Sequence, residues 1–426
     1  MTLSLAIAIF VLAYVLIASE KISRIAIALG GAAAMFVIGA TDADKAFYSH
    51  ETGIDWNVIF LLLGMMIIVG VIHKTGLFEF LAIKAIKKAD GSPKKALVFL
   101  IILVAFASAI LDNVTTILLA VPMTIIVCKQ LNVNPIPFLL SEVFASNIGG
   151  AATLVGDPPN IIIASRAGLS FNDFLIHMAP LVIVAMLVIT PILVWMFRKE
   201  LVNTAEDRAR VHELDASSYL KNPDLLKKSL AVLSLVVVGF LAHSVIHAEP
   251  SVIALIGAGL LIAISGLKPV DYVQDVEWGT LVFFAGLFVM VGALVNVGAL
   301  QMLSDYLAAQ VDGKPELATG VLLVLSAVVS GIVDNIPYVA TMSPVVADLS
   351  AAVPAQHGDV LWWALAFGAD FGGNATIIGA SANVVAIGLA AKAGIKISFW
   401  QFAKYGIPIT VISIAITAPY LFLRYF

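Results

Sequence analysis

The chain repeats itself. A step of 222 positions carries Trp56 onto Trp278, Gly64 onto Gly286, Gly70 onto Gly292 and Gly76 onto Gly298. The same step carries Asp90-Gly91 onto Asp312-Gly313, Pro93 onto Pro315, Asp112-Asn113 onto Asp334-Asn335 and Pro122 onto Pro344. At 223, Gly149-Gly150 falls on Gly372-Gly373, and Thr153, Gly156 and Asn160 fall on Thr376, Gly379 and Asn383. Register kept over so long a span with almost no gaps excludes coincidence. Any fold must therefore hold two copies of one unit.

Both copies are built for lipid. The chain is 61% hydrophobic and 12% charged, with a mean hydropathy of +1.03, about half the charge of a soluble domain. Apolar runs near ~20 residues recur, each able to cross a ~30 Å hydrocarbon core. They fall at 2–18, 23–40, 56–73, 136–164, 178–197, 228–247, 250–267, 278–297, 360–391 and 404–424. Two more stretches, 97–127 and 317–347, are 31 residues each, or ~46 Å as one helix. Each carries Asp-Asn near its middle and a proline beyond, a pattern for a re-entrant hairpin with a polar tip; the alternative is one long tilted helix. Five crossings separate each element from its counterpart, an odd number, so the copies have opposite orientations. The expected fold is an all-α polytopic membrane protein of two inverted-topology repeats, each with a re-entrant hairpin and a broken transmembrane helix, as in secondary transporters. The first repeat is 1–197, the linker 198–227 and the second repeat 228–426. The linker reads as a solvated connector, and 78–88 and 300–310 as short interfacial helices.

Of the 24 basic residues, all but Lys45, Arg166, Lys314 and Arg424, with Arg208 and Arg210 among the rest, fall on the side of the 19–22, 74–96 and 198–228 loops. The positive-inside rule makes that side cytoplasmic and puts both termini outside a multi-pass plasma (inner) membrane protein. The single cysteine, Cys128, excludes a disulfide framework and any multi-cysteine metal site. No nucleic-acid patch, phosphate loop or zinc motif is present. The expectation is a transporter, not an enzyme.

The chemistry concentrates in SNIGGAATLVGDPPNIII (146–163) and its counterpart GADFGGNATIIGASANVV (368–385). Glycine pairs and prolines break the helices there, and irregular backbone at membrane depth survives only inside protein or beside a wet cavity. Four intramembrane acids mark the region: Asp112, Asp157, Asp334 and Asp370. Such residues usually mark ion or proton paths, although each could merely cap a broken helix. Around them stand Asn113, Thr115, Asn147, Thr153, Asn160, Asn335, Asn374, Thr376, Ser381 and Asn383. These groups suit a hydroxyl-bearing solute or a hard cation such as sodium; helix–helix hydrogen bonding is the plainer alternative for any one of them. Glu142 reads as structural, and His73 and His177 as interfacial. None of the segments 97–127, 136–164, 317–347 and 360–391 contains Lys or Arg. That predicts a pocket without positive side chains, for a cation or neutral solute. Crowded, desolvated carboxyls favour their neutral acid form, which suits coupling to protons.

These motifs, with ILDNVTTILLAVP before the first break and IVDNIPYVATMSPVV before the second, resemble the ArsB/NhaD-type permeases of the ion transporter superfamily, to which the pigmentation P-protein belongs. The resemblance implies a scaffold plus a mobile transport domain, an elevator-like motion and a homodimer. It implies cargo among arsenite or antimonite, sodium exchanged for protons, and anions. Sodium–carboxylate relatives carry paired Ser-Asn-Thr motifs, whereas this chain has Asp112-Asn113-Val114-Thr115 and Asp334-Asn335-Ile336-Pro337. The expected function is proton-coupled efflux of arsenite or antimonite. The alternatives are a sodium/proton antiporter, an anion or carboxylate transporter and, remotely, an intramembrane aspartyl protease. The expected partners are a small inorganic solute or ion and the lipid bilayer. A proton or sodium gradient stands in place of a cofactor.

Overall fold

The computed structural model describes residues 1–426 except 20, 205–206, 209–210, 212–214 and 312–313. Arg210, Asp312 and Gly313 thus lie outside the described residues. Those described form helices and no strand. The first repeat runs α1 (Thr2–Ser19), α2 (Arg24–Val37), α3 (Ala43–Tyr48), α4 (Trp56–His73), α5 (Leu77–Lys88), α6 (Pro93–Ile110), α7 (Asn113–Leu131), α8 (Ile136–Gly150), α9 (Pro158–Ala167), α10 (Phe171–His177) and α11 (Ala179–Met196). The second runs α12 (Pro223–Ile246), α13 (Pro250–Ser265), α14 (Pro269–Val273), α15 (Trp278–Asn296), α16 (Ala299–Val311), α17 (Pro315–Ser330), α18 (Asn335–Ala352), α19 (Ala355–Gly372), α20 (Ser381–Lys392) and α21 (Phe399–Tyr425). Eight of the described helices are long and apolar enough to cross a bilayer.

The two copies interlock. In one group of helices, α4 of the first repeat packs on α13 of the second, and α2 of the first on α15 of the second. The contacts are backbone-close: a Cβ at Gly64 would lie 2.7 Å from the Ala254 carbonyl carbon, and one at Gly286 2.9 Å from that of Ala28. These pairs are related by the repeat, so the same small-residue contact occurs twice. Gly64→Leu is expected to destabilise the protein by about 1–3 kcal/mol through overpacking. Gly259→Ala, where a Cβ meets nothing within 4 Å, should not lower the melting temperature in detergent and can raise it through helix propensity.

In the other group, α6 packs on α8 and α17 on α19. The arms of the hairpins reach beyond 97–127 and 317–347, starting at Pro93 and Pro315. Proline is suited to a first helical turn, and the long lysine stems of Lys94 and Lys95 can carry their charge to an interface. The predicted crossings 136–164 and 360–391 each divide into two helices, α8 with α9 and α19 with α20. The half-helix of one repeat then lies on the hairpin arm of the other: α9 on α18, and α20 on α7.

The linker departs from a solvated connector. Its described residues dock on the hairpin side: Asn203 Nδ2 donates to Gly91 O at 2.9 Å, and Lys221 N to Thr75 O at 2.9 Å. Leu201 and Val211 are buried. Apolar side chains spaced through a polar segment were the missed signal, since they stabilise the fold only when covered.

Candidate functional site

Each hairpin tip is an acid that caps a helix. Asp112 accepts from Thr115 N at 2.8 Å at the start of α7, and Asp334 accepts from Ile336 N at 3.1 Å at the start of α18. A carboxylate there satisfies orphan N–H groups and suits the helix dipole. Both acids are therefore partly explained by capping.

The breaks themselves are glycine crossings. A Cβ at Gly150 would lie 2.5 Å from the Gly156 carbonyl oxygen, and one at Gly379 2.7 Å from that of Gly373. Each break is stapled to the hairpin of its own repeat by the same bonds. Ser108 Oγ donates to Ser146 O at 2.6 Å, and Ser330 Oγ to Ala369 O at 2.6 Å. Thr153 Oγ1 donates to Ala109 O at 2.5 Å, and Thr376 Oγ1 to Gly331 O at 2.7 Å. Within each break, Asn160 Nδ2 donates to Thr153 O at 3.2 Å, and Asn383 Nδ2 to Thr376 O at 2.8 Å. The hydroxyl protons of Thr153 and Thr376 are thus committed to backbone, leaving their oxygens as acceptors only. Thr115 sits on the Asp112 carboxyl.

Where the two breaks and two tips meet, eight polar side chains are buried together: Asn113, Asn147, Asp157, Asn160, Asn335, Asp370, Asn374 and Asn383. Asn113 Nδ2 donates to Asp157 Oδ2 at 2.7 Å and to Asn147 Oδ1 at 3.2 Å. Asn335 Nδ2, from the other tip, reaches the same Asp157 Oδ2 at 3.4 Å. Asn147 Nδ2 crosses to Asn374 Oδ1 and Asn383 Oδ1, both at 2.9 Å. The charged neighbours of Asp157 are Asp370, Asp334 and Asp112, so all four expected acids converge. Asp370 faces Asn160. Six polar atoms here lack a hydrogen-bond partner: the acceptors Oδ1 of Asn113, Asp157 and Asn160 and both carboxyl oxygens of Asp370, and one donor, Nδ2 of Asn374. Buried acceptors in native proteins are satisfied. The five oxygens are satisfied by protons or by a hard cation, whereas the Asn374 amide calls for an acceptor. Asp370 occupies the place of Asn147 in the repeat, so the two halves are chemically unequal.

One residue overturns the expected absence of positive side chains. Arg24, at the first turn of α2, donates from Nη1 to Ser381 Oγ at 2.6 Å and lies 3.7 Å from Asp334 Oδ2. Ser381 Oγ donates to the same Asp334 oxygen at 2.5 Å. The guanidinium also lies 5.5 Å from the centre of the Phe283 ring. Arg24 stands in a cavity of about 420 Å³ with Lys21, Ser23, Asp334 and Ser381 on its wall. The segments 97–127, 136–164, 317–347 and 360–391 themselves carry no base; the cation arrives from the neighbouring helix α2. A signal was present: a base in the first turn of an apolar helix opposes the dipole and so asks for another reason. The repeat-related corner, about 410 Å³, is lined by Asn57, His243, His247 and Glu249 and holds no Lys or Arg. Tyr14 of α1 adds a second link across the same boundary, its hydroxyl bonded to Pro337 O and Thr341 Oγ1.

With known proteins, the chain matches the citrate transporter family (CitMHS) over residues 14–368. A Mycobacterium tuberculosis protein described as an uncharacterized transporter is 54% identical over 424 residues, 99% of each chain. The human P protein is 33% identical over 490 residues, covering 96% of this chain and 58% of its own length. The crystal structure of the Alcanivorax borkumensis YdaH transporter, reported for its unusual topology, superposes with a TM-score of 0.58 at 14% identity. It covers 85% of this chain and 84% of its own, a likeness of fold alone.

Proposed function

The chain belongs to the citrate transporter family, and from that premise we propose that it is a secondary carrier of a small carboxylate anion, coupled to protons or sodium. It is a multi-pass membrane transporter rather than an enzyme. The observation that carries the carboxylate reading is Arg24, a fork-shaped donor in a cavity that reaches the second hairpin tip. Arginine binds carboxylates bidentately, and no other common side chain does so as well. The reading of the site as cation-free was one ground for arsenite or antimonite, beside the family resemblance, and Arg24 weakens that ground.

The proposed cycle follows from the bonds. In the resting arrangement Asp334 occupies Arg24, tying the hairpin tip to the scaffold helix α2. A proton on Asp334, or an incoming carboxylate, releases the guanidinium to the solute. The unpartnered oxygens of Asp157, Asp370, Asn113 and Asn160 hold the coupling cation between the two breaks. The transport group then moves against the scaffold in an elevator-like step, in a homodimer, with the basic face and the linker in the cytoplasm and the termini outside.

A second reading, a sodium/proton antiporter, is favoured by the same five oxygens. Reconstituted protein separates the two readings. Uptake of labelled citrate, competed by other di- and tricarboxylates but not by arsenite, supports the carrier of anions. Sodium that moves protons with no carboxylate present, together with no citrate uptake, overturns it.

A further inference from the structure

Glu142 lies deep in the first repeat, on α8, away from the acid cluster. It is fully buried. Its one partner is Thr124 Oγ1 on α7, at 2.5 Å from Oε1. Its other oxygen, Oε2, has none, and neither has the hydroxyl of buried Thr116. These two orphan groups line the same cavity, about 20 Å³, between α7, α8 and the apolar faces of α5 and α6. That is room for one water, and a polar void with two unsatisfied partners is where a buried water belongs. Thr116, Ala120 and Thr124 share one face of α7 at a spacing of four. Thr116 is in the first turn, its N–H bonded to Asp112 O at 2.9 Å.

The track is confined to one repeat. The positions matching Thr116, Thr124 and Glu142 are Tyr338, Val346 and Leu365. Leu365 and Val346 are buried apolar residues, and the Tyr338 hydroxyl is satisfied by Ser326 at 2.9 Å. The repeat packs well without an acid at this place, so packing does not require Glu142. Nor does a cation hold it: α5 and α6 present Phe78, Ala82, Leu103 and Val104 to the cavity, and the ionisable neighbour is the Cys128 thiol of α7.

We propose that Glu142 is a proton-binding station, bridged by a water to Thr116 in the turn that follows the first hairpin tip, and that it loads and unloads the proton that accompanies transport. This rests on the carrier reading with the proton as coupling ion. The proton is held on Oε2 and exchanges with the cavity water beside the Thr116 hydroxyl. No bond other than O–H is made or broken.

The test uses the full chain in lipid. Infrared difference spectra taken across a pH titration should show the carbonyl band of a buried carboxylic acid that is lost in Glu142→Gln and kept in Asp157→Asn. In vesicles with labelled citrate as probe, Glu142→Gln should flatten the pH profile of uptake. Thr116→Val, which leaves the acid in place, should keep the infrared band but slow pH-driven uptake by tenfold or more. A band that persists in Glu142→Gln, or pH profiles identical to wild type in both variants, would overturn the proposal. If Asp157→Asn transports normally while the Glu142 band is lost as expected, the site reading fails and the proton station stands.

Discussion

Replacing Arg24 with alanine should raise the KM for citrate about 10- to 150-fold, with the protein still folded. The figure follows from losing a charge-assisted hydrogen bond, worth about 1.5–3 kcal/mol. It is set below the value for a fully buried ion pair because the Arg24 side chain is 35% exposed. Arg24→Lys should restore little, since an ammonium keeps the charge but not the planar fork. The resting contact gives a further handle. Asp334 lies beside the same guanidinium, so Asp334→Asn should free Arg24 and lower the energetic cost of binding a carboxylate. A double-mutant cycle on KM would show coupling between the two positions. Citrate affinity that is unchanged in Arg24→Ala would remove the anion site from this cavity.

The second large effect is expected at the acids of the breaks. Asp157→Asn and Asp370→Asn each delete a charge from a cluster in which five oxygens wait for a cation or proton. Asp157 Oδ2 is also the point where Asn113 and Asn335, one from each tip, come together. An amide at 157 presents an N–H₂ or a weaker acceptor to those donors, so the tips lose their common anchor. The stabilisation of wild type by sodium, or by lowered pH, in a thermal-shift series should therefore fall to a small fraction in both variants. A stabilisation equal to wild type would place the coupling ion elsewhere. Thr153→Val and Thr376→Val form the contrast. Each removes a hairpin staple and should cost about 1 kcal/mol of stability with ligand shifts retained.

Much of this arrangement was written in the sequence, and the reasons differ by element. The helices and the duplicated tips were legible because glycine, proline and Asp-Asn recur at fixed offsets inside apolar runs, and few other folds tolerate such residues in lipid. Asp157 and Asp370 could be named because a carboxyl at that depth has few structural excuses. Their meeting at the interface of the two copies followed from the inverted repeat, but the particular contacts, α9 on α18 and α20 on α7, could not be read, since the sequence holds no distance between repeats. Arg24 was misjudged for the same reason. It was counted with the basic loops, yet the turn into α2 brings its side chain to Ser381, 357 positions away. Glu142 was read as structural because its position near the start of α8 resembled a helix end. Its burial beside an unpartnered threonine appears only once α7 and α8 are packed. The linker was misread because Leu201 and Val211 are too few to give a periodic signal.

If the meeting point of the two broken helices holds the coupling ion, as proposed, accumulation of labelled citrate in vesicles of reconstituted full-length protein, with proton and sodium gradients imposed separately, will depend on its acids. Wild type should concentrate citrate above equilibrium under one of the two gradients. Asp157→Asn and Asp370→Asn should abolish that concentration. If either variant concentrates citrate as wild type does, the buried acids are not the coupling site.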